Sequence, residues 1–484
     1  MIRLAELALQ TEDEAAAVPI VSAAARRAGT NPRLWQWTGL LHRALDDRVA
    51  ALQAFTKAAT LAPYDPSIAH GLARTQLEAG LSAVGAFETA HRIAPLDGDV
   101  LLGLAAARLA DGDASRACAG LDVFIRKHPG WIAGHYSLAR LCWMTGDDLG
   151  FVRSLESALS KSPRDPALWK ALIDLLIKAG QYERALSTIA QARYAMGDAV
   201  FLIANEALAL SEIGRCAAAD TSFALLADTD DVNIVVHQVR HLLRTGRVEP
   251  ARDIIERWTA SPDFAPLWPY ASLAWRLCDD PRWGWLQGAE TLVSVVDISA
   301  QLPSLERLAT ILRQMHTARG EQLDQSVRGG TQTDGILLAR TDPEIISLRT
   351  AIVAATRAHI ARLPARDARH PTLRARRDRA PRFSGSWSVR LTGAGRHANH
   401  VHPAGWLSSA LYIGVPPTHD DDPHAGWLTL GTPQAELSLD LPATRCIEPK
   451  PGRLVIFPST MWHGTLPVAS GERLTVAFDV KEPV

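Results

Sequence analysis

A repeat in the first 285 residues constrains the fold more than any other feature of the sequence. Turn residues recur about every 32 to 34 positions, and they are Pro32, Pro66, Asp97, Pro129, Pro163, Pro166, Asp198, Asp231 and Asp263. Two helical stretches lie between successive markers, as in residues 165–180 and 182–192, with an Ala-Gly turn between them. One helical hairpin cannot bury its apolar face alone, so the repeats must stack into a solenoid with a continuous core.

The repeat has the length and pattern of tetratricopeptide repeats. The second unit also resembles their consensus, since Ala50, Phe55, Ala58 and Pro63 occupy its small, aromatic, small and proline positions. We therefore expect an α-solenoid over residues 1–285. Its concave face would offer a groove for a peptide or protein partner, although the array could instead hold a dimer together or cover the next domain.

Length and charge exclude several other classes of protein. A chain of 484 residues is too long for one ordinary core, and its formal net charge of -1 gives no general attraction to nucleic acid or an anionic membrane. No run is long enough to cross a bilayer, and the first ten residues lack the apolar core of a signal peptide. Five scattered cysteines without a Cys-x-x-Cys pair indicate a reducing cytoplasm and no zinc knuckle.

The last hundred residues carry a group of histidines with metal-ligand spacing. His400 and His402 lie two apart after a strand-like run at 387–391, so on a strand both imidazoles would face one side. His463 follows a turn and strand at 449–458, and Arg473 opens an alternating strand ten residues later. Together these residues predict a metal site supported by β-strands.

These motifs resemble the 2-oxoglutarate/Fe(II) oxygenases, and most closely a bacterial branch often fused to tetratricopeptide repeats. The resemblance rests on Trp-Ser-Val-Arg-Leu at 387–391 and on the segments 399–403, 457–464 and 473–479. It implies an α+β multidomain chain, with a double-stranded β-helix (jelly-roll) domain at 286–484. It also implies Fe(II), 2-oxoglutarate as cosubstrate, dioxygen, and hydroxylation of a C–H bond.

The resemblance assigns His400 and His463 to the two histidine positions of the metal triad. His402 stands where most of the superfamily has Asp or Glu, and a neutral imidazole leaves the ion with one more positive charge. His397 is the competing ligand. Strand alternation predicts that it lies on the face opposite His400 and His402 unless a bulge intervenes.

The resemblance also implies a cosubstrate clamp. Arg473 would pair with the distal carboxylate of 2-oxoglutarate, because a guanidinium binds a carboxylate through two parallel hydrogen bonds. Thr475 lies two residues further on the same strand face. Tyr412, on a strand predicted at 407–415, would either contact the cosubstrate or pack in the core. The candidates for the substrate side are Trp387, Asn399, Trp406 and Trp462, although aromatic residues in barrels usually fill the core.

Four other segments have competing interpretations. The tryptophans of residues 258–285 favour a hydrophobic junction between the domains over a ligand-stacking site. The segment 325–333 resembles one near the active-site mouth of the same oxygenase branch, or it is a plain turn. The segment 366–382 contains seven arginines, and it is predicted to be either a solvated loop or a segment that binds an acidic substrate. Asp420–Asp422, with His419 and His424, reads as an exposed loop.

Three functional hypotheses follow. The first is a 2-oxoglutarate-dependent hydroxylase acting on a peptide or protein that the repeats recruit, with a small metabolite as the second choice of substrate. The second is a three-histidine metal dioxygenase without 2-oxoglutarate, against which Arg473 and Thr475 argue. The third is a scaffold with a non-catalytic metal-binding domain, which the departure at His402 keeps open. If the site is an ordinary oxygenase, His402→Asp should improve iron-dependent turnover.

Overall fold

A computed structural model describes residues 1–318, 322–323, 325–416, 422–468 and 470–483. The chain is helical up to Gln287, and the first strand begins at Ser294. The helices of the N-terminal array are α1 Ile2–Thr11, α2 Glu14–Ala28, α3 Pro32–Ala44, α4 Arg48–Leu61, α5 Pro66–Glu78, α6 Val84–Ile93, α7 Gly98–Ala110, α8 Ala114–Lys127, α9 Ile132–Met144, α10 Arg153–Lys161, α11 Pro166–Lys178, α12 Tyr182–Met196, α13 Val200–Glu212, α14 Cys216–Ala224, α15 Val232–Arg244, α16 Val248–Trp258, α17 Trp268–Leu277 and α18 Arg282–Gln287.

Several turn markers of the sequence lie at helix starts: Asp97 and Asp231 are N-caps, and a proline marker is the first residue of α3, α5 and α11. The side chains that accept hydrogen bonds from the first backbone N–H groups of odd-numbered helices are Asn31, Asp65, Asp97, Asp165 and Asp231. Such a cap stabilises a helix by about 1 kcal/mol. Two residues after the first helix of a pair, glycines with φ between 69° and 92° start the turn to the second helix, and they are Gly80, Gly112, Gly146, Gly180, Gly214 and Gly246. Only glycine adopts this conformation without steric cost.

Glycines inside the first helices make room for the aromatic residues of the second helices. The ring of the fully buried Phe55 lies 2.7 Å from where a Cβ of Gly39 would be, and 2.4 Å from that of Gly71. Phe55 therefore packs between the first helices of its own pair and of the next one. Phe87 repeats the arrangement against Gly103, where a Cβ would come within 2.1 Å of the ring.

We expect Gly103→Ala to lower the free energy of unfolding by about 1–3 kcal/mol, because the added methyl group would displace the buried ring of Phe87. The matched control is Gly85→Ala in α6, where a Cβ meets nothing within 4 Å. That variant should be neutral or gain up to about 1 kcal/mol from the lower chain entropy of alanine. Urea unfolding followed by circular dichroism measures both. Equal stabilities of the two variants would contradict the packing argument.

The C-terminal domain contains two antiparallel sheets. Its elements are β1 Ser294–Asp297, α19 Leu305–Met315, β2 Val327–Gln332, α20 Pro343–Arg362, β3 Phe383–His397, β4 Leu407–Gly414, β5 Leu428–Leu430, β6 Arg445–Ile447, β7 Arg453–Pro458, β8 His463–Thr465 and β9 Glu472–Val480. The larger sheet has the order β1-β7-β4-β9-β3-β2, and the smaller one has the order β6-β5-β8. These two antiparallel sheets confirm the predicted jelly-roll domain behind a helical repeat array.

The two faces of the larger sheet have different environments. On β9, Leu474, Val476 and Phe478 belong to the core that includes residues of α19 and α20. Because side chains alternate along a strand, Arg473 and Thr475 point to the opposite face, where they line a small cavity. The smaller sheet contributes Leu428 to that same cavity. The cavity thus lies between the two sheets.

The arginine-rich segment connects the C-terminal domain to the first helix pair of the array. Arg379 forms an ion pair of 2.6 Å with Asp13. Arg382 pairs with Glu14, a carboxylate that is only 2% exposed. The interpretation of this segment as a solvated loop was therefore wrong for these arginines. Sequence alone could not find their partners, which lie more than 360 residues earlier in the chain.

Contacts with the C-terminal domain continue along the array to its last helices. Thr341 donates its backbone N–H to the carbonyl of Ala79 at 3.0 Å, and Leu323 packs into the apolar cluster of α9–α13. At the far end, Arg276 of α17 donates to the carbonyl of Gly431 at 2.9 Å. The chain's own C-terminal domain therefore occupies these parts of the surface of the array.

The predicted hydrophobic junction is present at the end of the array. Trp268 lies 6.0 Å from Trp285 and 6.2 Å from Trp275, measured between ring centres. The same apolar cluster includes Trp462 and Val401 of the C-terminal domain. The tryptophans therefore pack where the two domains meet, in agreement with the interpretation as a hydrophobic junction.

Two expectations from the sequence remain, one about the loop at 419–424 and one about membrane-spanning helices. His419, Asp420 and Asp421 lie outside the described residues, while Asp422 and His424 are exposed. In the part of the chain that the structure describes, no helix combines the length and the apolar character that a bilayer span requires.

Replacing Arg382 with methionine should destabilise the attachment of the first helix pair by about 3–5 kcal/mol, because Glu14 would be left as a buried carboxylate without its guanidinium. Arg369→Met is the control, since that side chain is 89% exposed. It should change stability by less than about 0.5 kcal/mol. Hydrogen exchange of α1 and α2 measures the effect. Unchanged protection in the Arg382 variant would show that this ion pair does not hold the helices in place.

Candidate metal centre

Three histidines form the centre of the cavity. One possible ligand atom from each of His400, His402 and His463 lies within 4.8 Å of the others. His400 and His463 form a β-bridge, with backbone N–H to carbonyl distances of 2.9 and 3.0 Å. His402 is held by its backbone N–H, which donates to the carbonyl of Ser459 at 2.9 Å. The structure thus brings together all three residues that the sequence proposed as ligands.

Each of the three imidazoles is oriented by a hydrogen bond at its Nδ1 atom. The Nδ1 atoms of His400 and His463 lie 2.8 and 2.9 Å from the carbonyls of Ala398 and Met461. The Nδ1 of His402 lies 2.7 and 2.8 Å from the two carboxylate oxygens of Asp479. Carbonyls and carboxylates only accept hydrogen bonds, so each Nδ1 carries the proton. In the neutral form of each ring, Nε2 then keeps a lone pair for a metal ion.

Burial keeps two histidines of this cluster, His400 and His463, neutral. It lowers the pKa of His400 to about 3, with the nearby His402 adding to the effect. Burial also holds the pKa of His463 well below its ordinary value. A neutral imidazole is the form that binds a metal, and a set of imidazoles suits Fe(II), Co(II), Ni(II) and Zn(II). The donor set thus fits the metal that the oxygenase resemblance implies.

Asp479 is the residue of this site that the sequence argument missed. It ends the alternating run of β9, on the same face as Arg473 and Thr475, and it also accepts a hydrogen bond of 2.7 Å from Ser408. Counting by twos from Arg473 would have placed it on the cavity side. Its pairing with His402 could not be read from spacing, because the two residues are 77 positions apart.

His397 lies beside the cluster, so its predicted position on the opposite face was wrong. Its ring is stacked on that of His400, with 5.8 Å between the ring centres, and it lines the same cavity. The alternation rule failed because β3 ends at His397. The chain then turns before His400, so side-chain parity is lost. His397 is not one of the three histidines whose ligand atoms converge.

The segment 325–333 reaches the metal side of the cavity, in agreement with the active-site interpretation. Its strand β2 pairs with β3. The hydroxyl of Ser326 lies 3.2 Å from Nε2 of His400 and 3.3 Å from Nδ1 of His397. Ser326 therefore borders the position that a bound ion would occupy.

Arg473 is buried without a counter-ion in the described part of the chain. Its side chain is 2% exposed, and its Nε has no hydrogen-bond partner there. Tyr412 is fully buried, its hydroxyl is also unpartnered, and its ring centre lies 5.0 Å from the guanidinium carbon. Burial raises the pKa of Tyr412, which keeps the phenol neutral. A buried, unpaired guanidinium is costly, so this position is suited to an anionic ligand.

Of the aromatic and amide residues proposed for the substrate side, Trp387 lines the cavity, with its ring centre 5.9 Å from that of His402. The other three side chains form hydrogen bonds to backbone carbonyls outside the cavity. Asn399 donates to the carbonyl of Pro433, and Trp406 donates to that of Thr372. Trp462 is 1% exposed and donates to the carbonyl of Pro269 in the array at 2.9 Å. These three side chains support the loops and do not face the cavity.

Two protein families match parts of the chain. Residues 385–479 match the family described as "Putative 2OG-Fe(II) oxygenase", and residues 152–202 match a tetratricopeptide-repeat family. The chain therefore joins a tetratricopeptide-repeat array to a C-terminal domain of the 2-oxoglutarate/Fe(II) oxygenase type, as the motifs predicted.

Similar solved structures come from both classes. A tetratricopeptide repeat protein from Parabacteroides merdae ATCC 43184 is 18% identical with a TM-score of 0.31, over 48% of this chain and 94% of that one. A prolyl-4-hydroxylase from Pseudomonas putida is 16% identical with a TM-score of 0.26, over 39% of this chain and 92% of that one. Comparison with the curated proteins gave no match.

Replacing His402 with alanine should weaken Co(II) binding by at least about 100-fold, because it removes a direct ligand, which costs more than losing an outer-shell partner. His397→Ala is the matched control, and it should weaken binding by less than about 10-fold. Isothermal titration calorimetry on metal-free protein measures both. The reverse ranking would make His397 the third ligand.

Proposed function

We propose that the chain is a 2-oxoglutarate- and Fe(II)-dependent dioxygenase that hydroxylates a C–H bond. The observation that carries the proposal is the buried guanidinium of Arg473, unpaired in the described residues, on the cavity wall shared with His400, His402 and His463. A metal-binding site alone needs no such charge. A cosubstrate with one carboxylate at the metal and a second one further away does need it.

In this proposal His400, His402 and His463 hold Fe(II) through their Nε2 atoms. Arg473 would bind the distal carboxylate of 2-oxoglutarate, and Thr475 and Tyr412, which are cross-strand partners near Arg473, would contact the same group. The bound ion and cosubstrate supply the oxidising chemistry with dioxygen. The residues of the chain orient both groups and exclude water, since the cavity lies between two sheets.

We propose a side chain of a peptide or protein as the substrate. The support is the attached repeat array, an architecture that presents extended binding surfaces. Because first helices of several pairs contact the C-terminal domain, the partner would bind to the remaining surface of the array. Its reacting side chain would enter near Trp387 and Ser326, which border the metal side.

Two other functions remain alternatives with distinct expectations. A three-histidine dioxygenase without 2-oxoglutarate would bind Fe(II) yet leave Arg473 unused. A scaffold with a non-catalytic domain would show metal binding without cosubstrate binding or turnover. The burial of Arg473 without a counter-ion in the described residues favours the first proposal over both.

The test is an anaerobic titration of the protein with Fe(II) and then 2-oxoglutarate, followed by the weak visible charge-transfer band of the chelate. Arg473→Gln should weaken 2-oxoglutarate binding by about 10- to 150-fold, the range for losing hydrogen bonds to a charged group. Arg390→Gln is the control, because that arginine lies on the adjacent strand and pairs with Glu472 at 3.0 Å. It should leave cosubstrate affinity unchanged.

Each result separates the alternatives. A band that weakens in the Arg473 variant alone supports the cosubstrate site. Fe(II) binding without a band in the wild type would contradict the proposal and favour the other two functions. Turnover that consumes dioxygen without 2-oxoglutarate would single out the three-histidine dioxygenase.

A further inference from the structure

The all-histidine cluster lacks the carboxylate that most of the superfamily places among the metal ligands, yet a carboxylate lies directly behind one histidine. Asp479 holds Nδ1 of His402 through both of its oxygens, at 2.7 and 2.8 Å. We propose that Asp479 is a positioning residue which supplies this missing negative charge through His402 and fixes Nε2 toward the metal. The inference rests on the proposed metal site.

The environment of Asp479 supports this role. Its side chain is 14% exposed, and within the described residues its one ion-pair partner is His402. Ser408 donates to one of its oxygens at 2.7 Å, and Ser408 and Ser459 share a hydrogen bond of 2.8 Å. The same Ser459 accepts the backbone N–H of His402 through its carbonyl. The carboxylate and the loop of the ligand are therefore fixed by one network.

The arrangement has a chemical consequence. A carboxylate that accepts the Nδ1 proton makes the imidazole a better electron donor and stabilises positive charge on the ion. His400 and His463 have only neutral carbonyls at the corresponding positions. Of the three histidines, His402 thus occupies the position of the usual carboxylate and also has a carboxylate partner.

The carboxylate behind His402 reverses the expected effect of one substitution. His402→Asp was expected to improve the site by restoring the common ligand type. In the structure, that change would place two carboxylates near one another and would remove the hydrogen-bond donor that Asp479 holds. The single substitution should therefore weaken metal binding, and adding Asp479→Asn should restore part of the loss.

The experiment measures Co(II) affinity and the visible Co(II) spectrum of metal-free protein after reconstitution. Asp479→Asn keeps the size and an oxygen acceptor but removes the charge, and it should weaken Co(II) binding by about 10- to 100-fold and shift the spectrum. Asp440→Asn is the matched control at an exposed aspartate. Both variants should unfold at the same temperature as the wild type in the metal-free state.

The second part is a double-mutant cycle with His402→Asp, Asp479→Asn and the combination. Tighter Co(II) binding by the combination than by His402→Asp alone supports the proposal. Wild-type Co(II) affinity and spectrum in Asp479→Asn, or additive losses in the cycle, would overturn it. A wild-type protein that binds Co(II) with the expected Asp479 effect but gives no 2-oxoglutarate band would refute the proposed function and leave this inference intact.

Discussion

The site depends on the burial of strand β9 on both faces. The strand lies inside the larger sheet, paired with β3 and β4. One face of the strand must therefore be apolar, as Leu474 and Phe478 are. Polar groups on the other face need partners in the cavity. Asp479 finds His402 there, whereas Arg473 finds no counter-ion among the described residues. A single strand thus carries both the carboxylate behind a proposed metal ligand and the buried positive charge of the proposed anion site.

The repeat array is part of the framework of the site. Trp462, which precedes the proposed ligand His463, donates a hydrogen bond to the carbonyl of Pro269 and packs 5.7 Å from Tyr270, measured between ring centres. Val401, between the other two proposed ligands, packs in the same apolar cluster. Both segments that carry the candidate histidines are therefore held by the array on one side and by hydrogen bonds of the sheets on the other. A partner bound at that end of the array would be close to the proposed metal ligands.

Much of the fold and of the candidate site could be predicted from local pattern. The repeats, their caps and the alternating strands follow from short-range periodicity. The three histidines and Arg473 were identified from their spacing in the sequence, and in the folded domain they line one cavity. His397 was misplaced because alternation holds only while the strand continues, and β3 ends at that residue. Trp462 was misassigned because its indole inserts into the array, and no local pattern shows this.

The sequence by itself determined which segments are helices and strands, and which residues have the chemistry of a metal and anion site. Caps, turns and periodicity act over a few residues, so they can be read directly. The tertiary structure decided the partners: Asp479 behind His402, Glu14 beneath Arg382, and the chain's own domain against the repeats. These pairings join residues 77 to 368 positions apart. They depend on which buried surfaces meet when the sheets and helices pack, and a linear pattern does not encode that geometry locally.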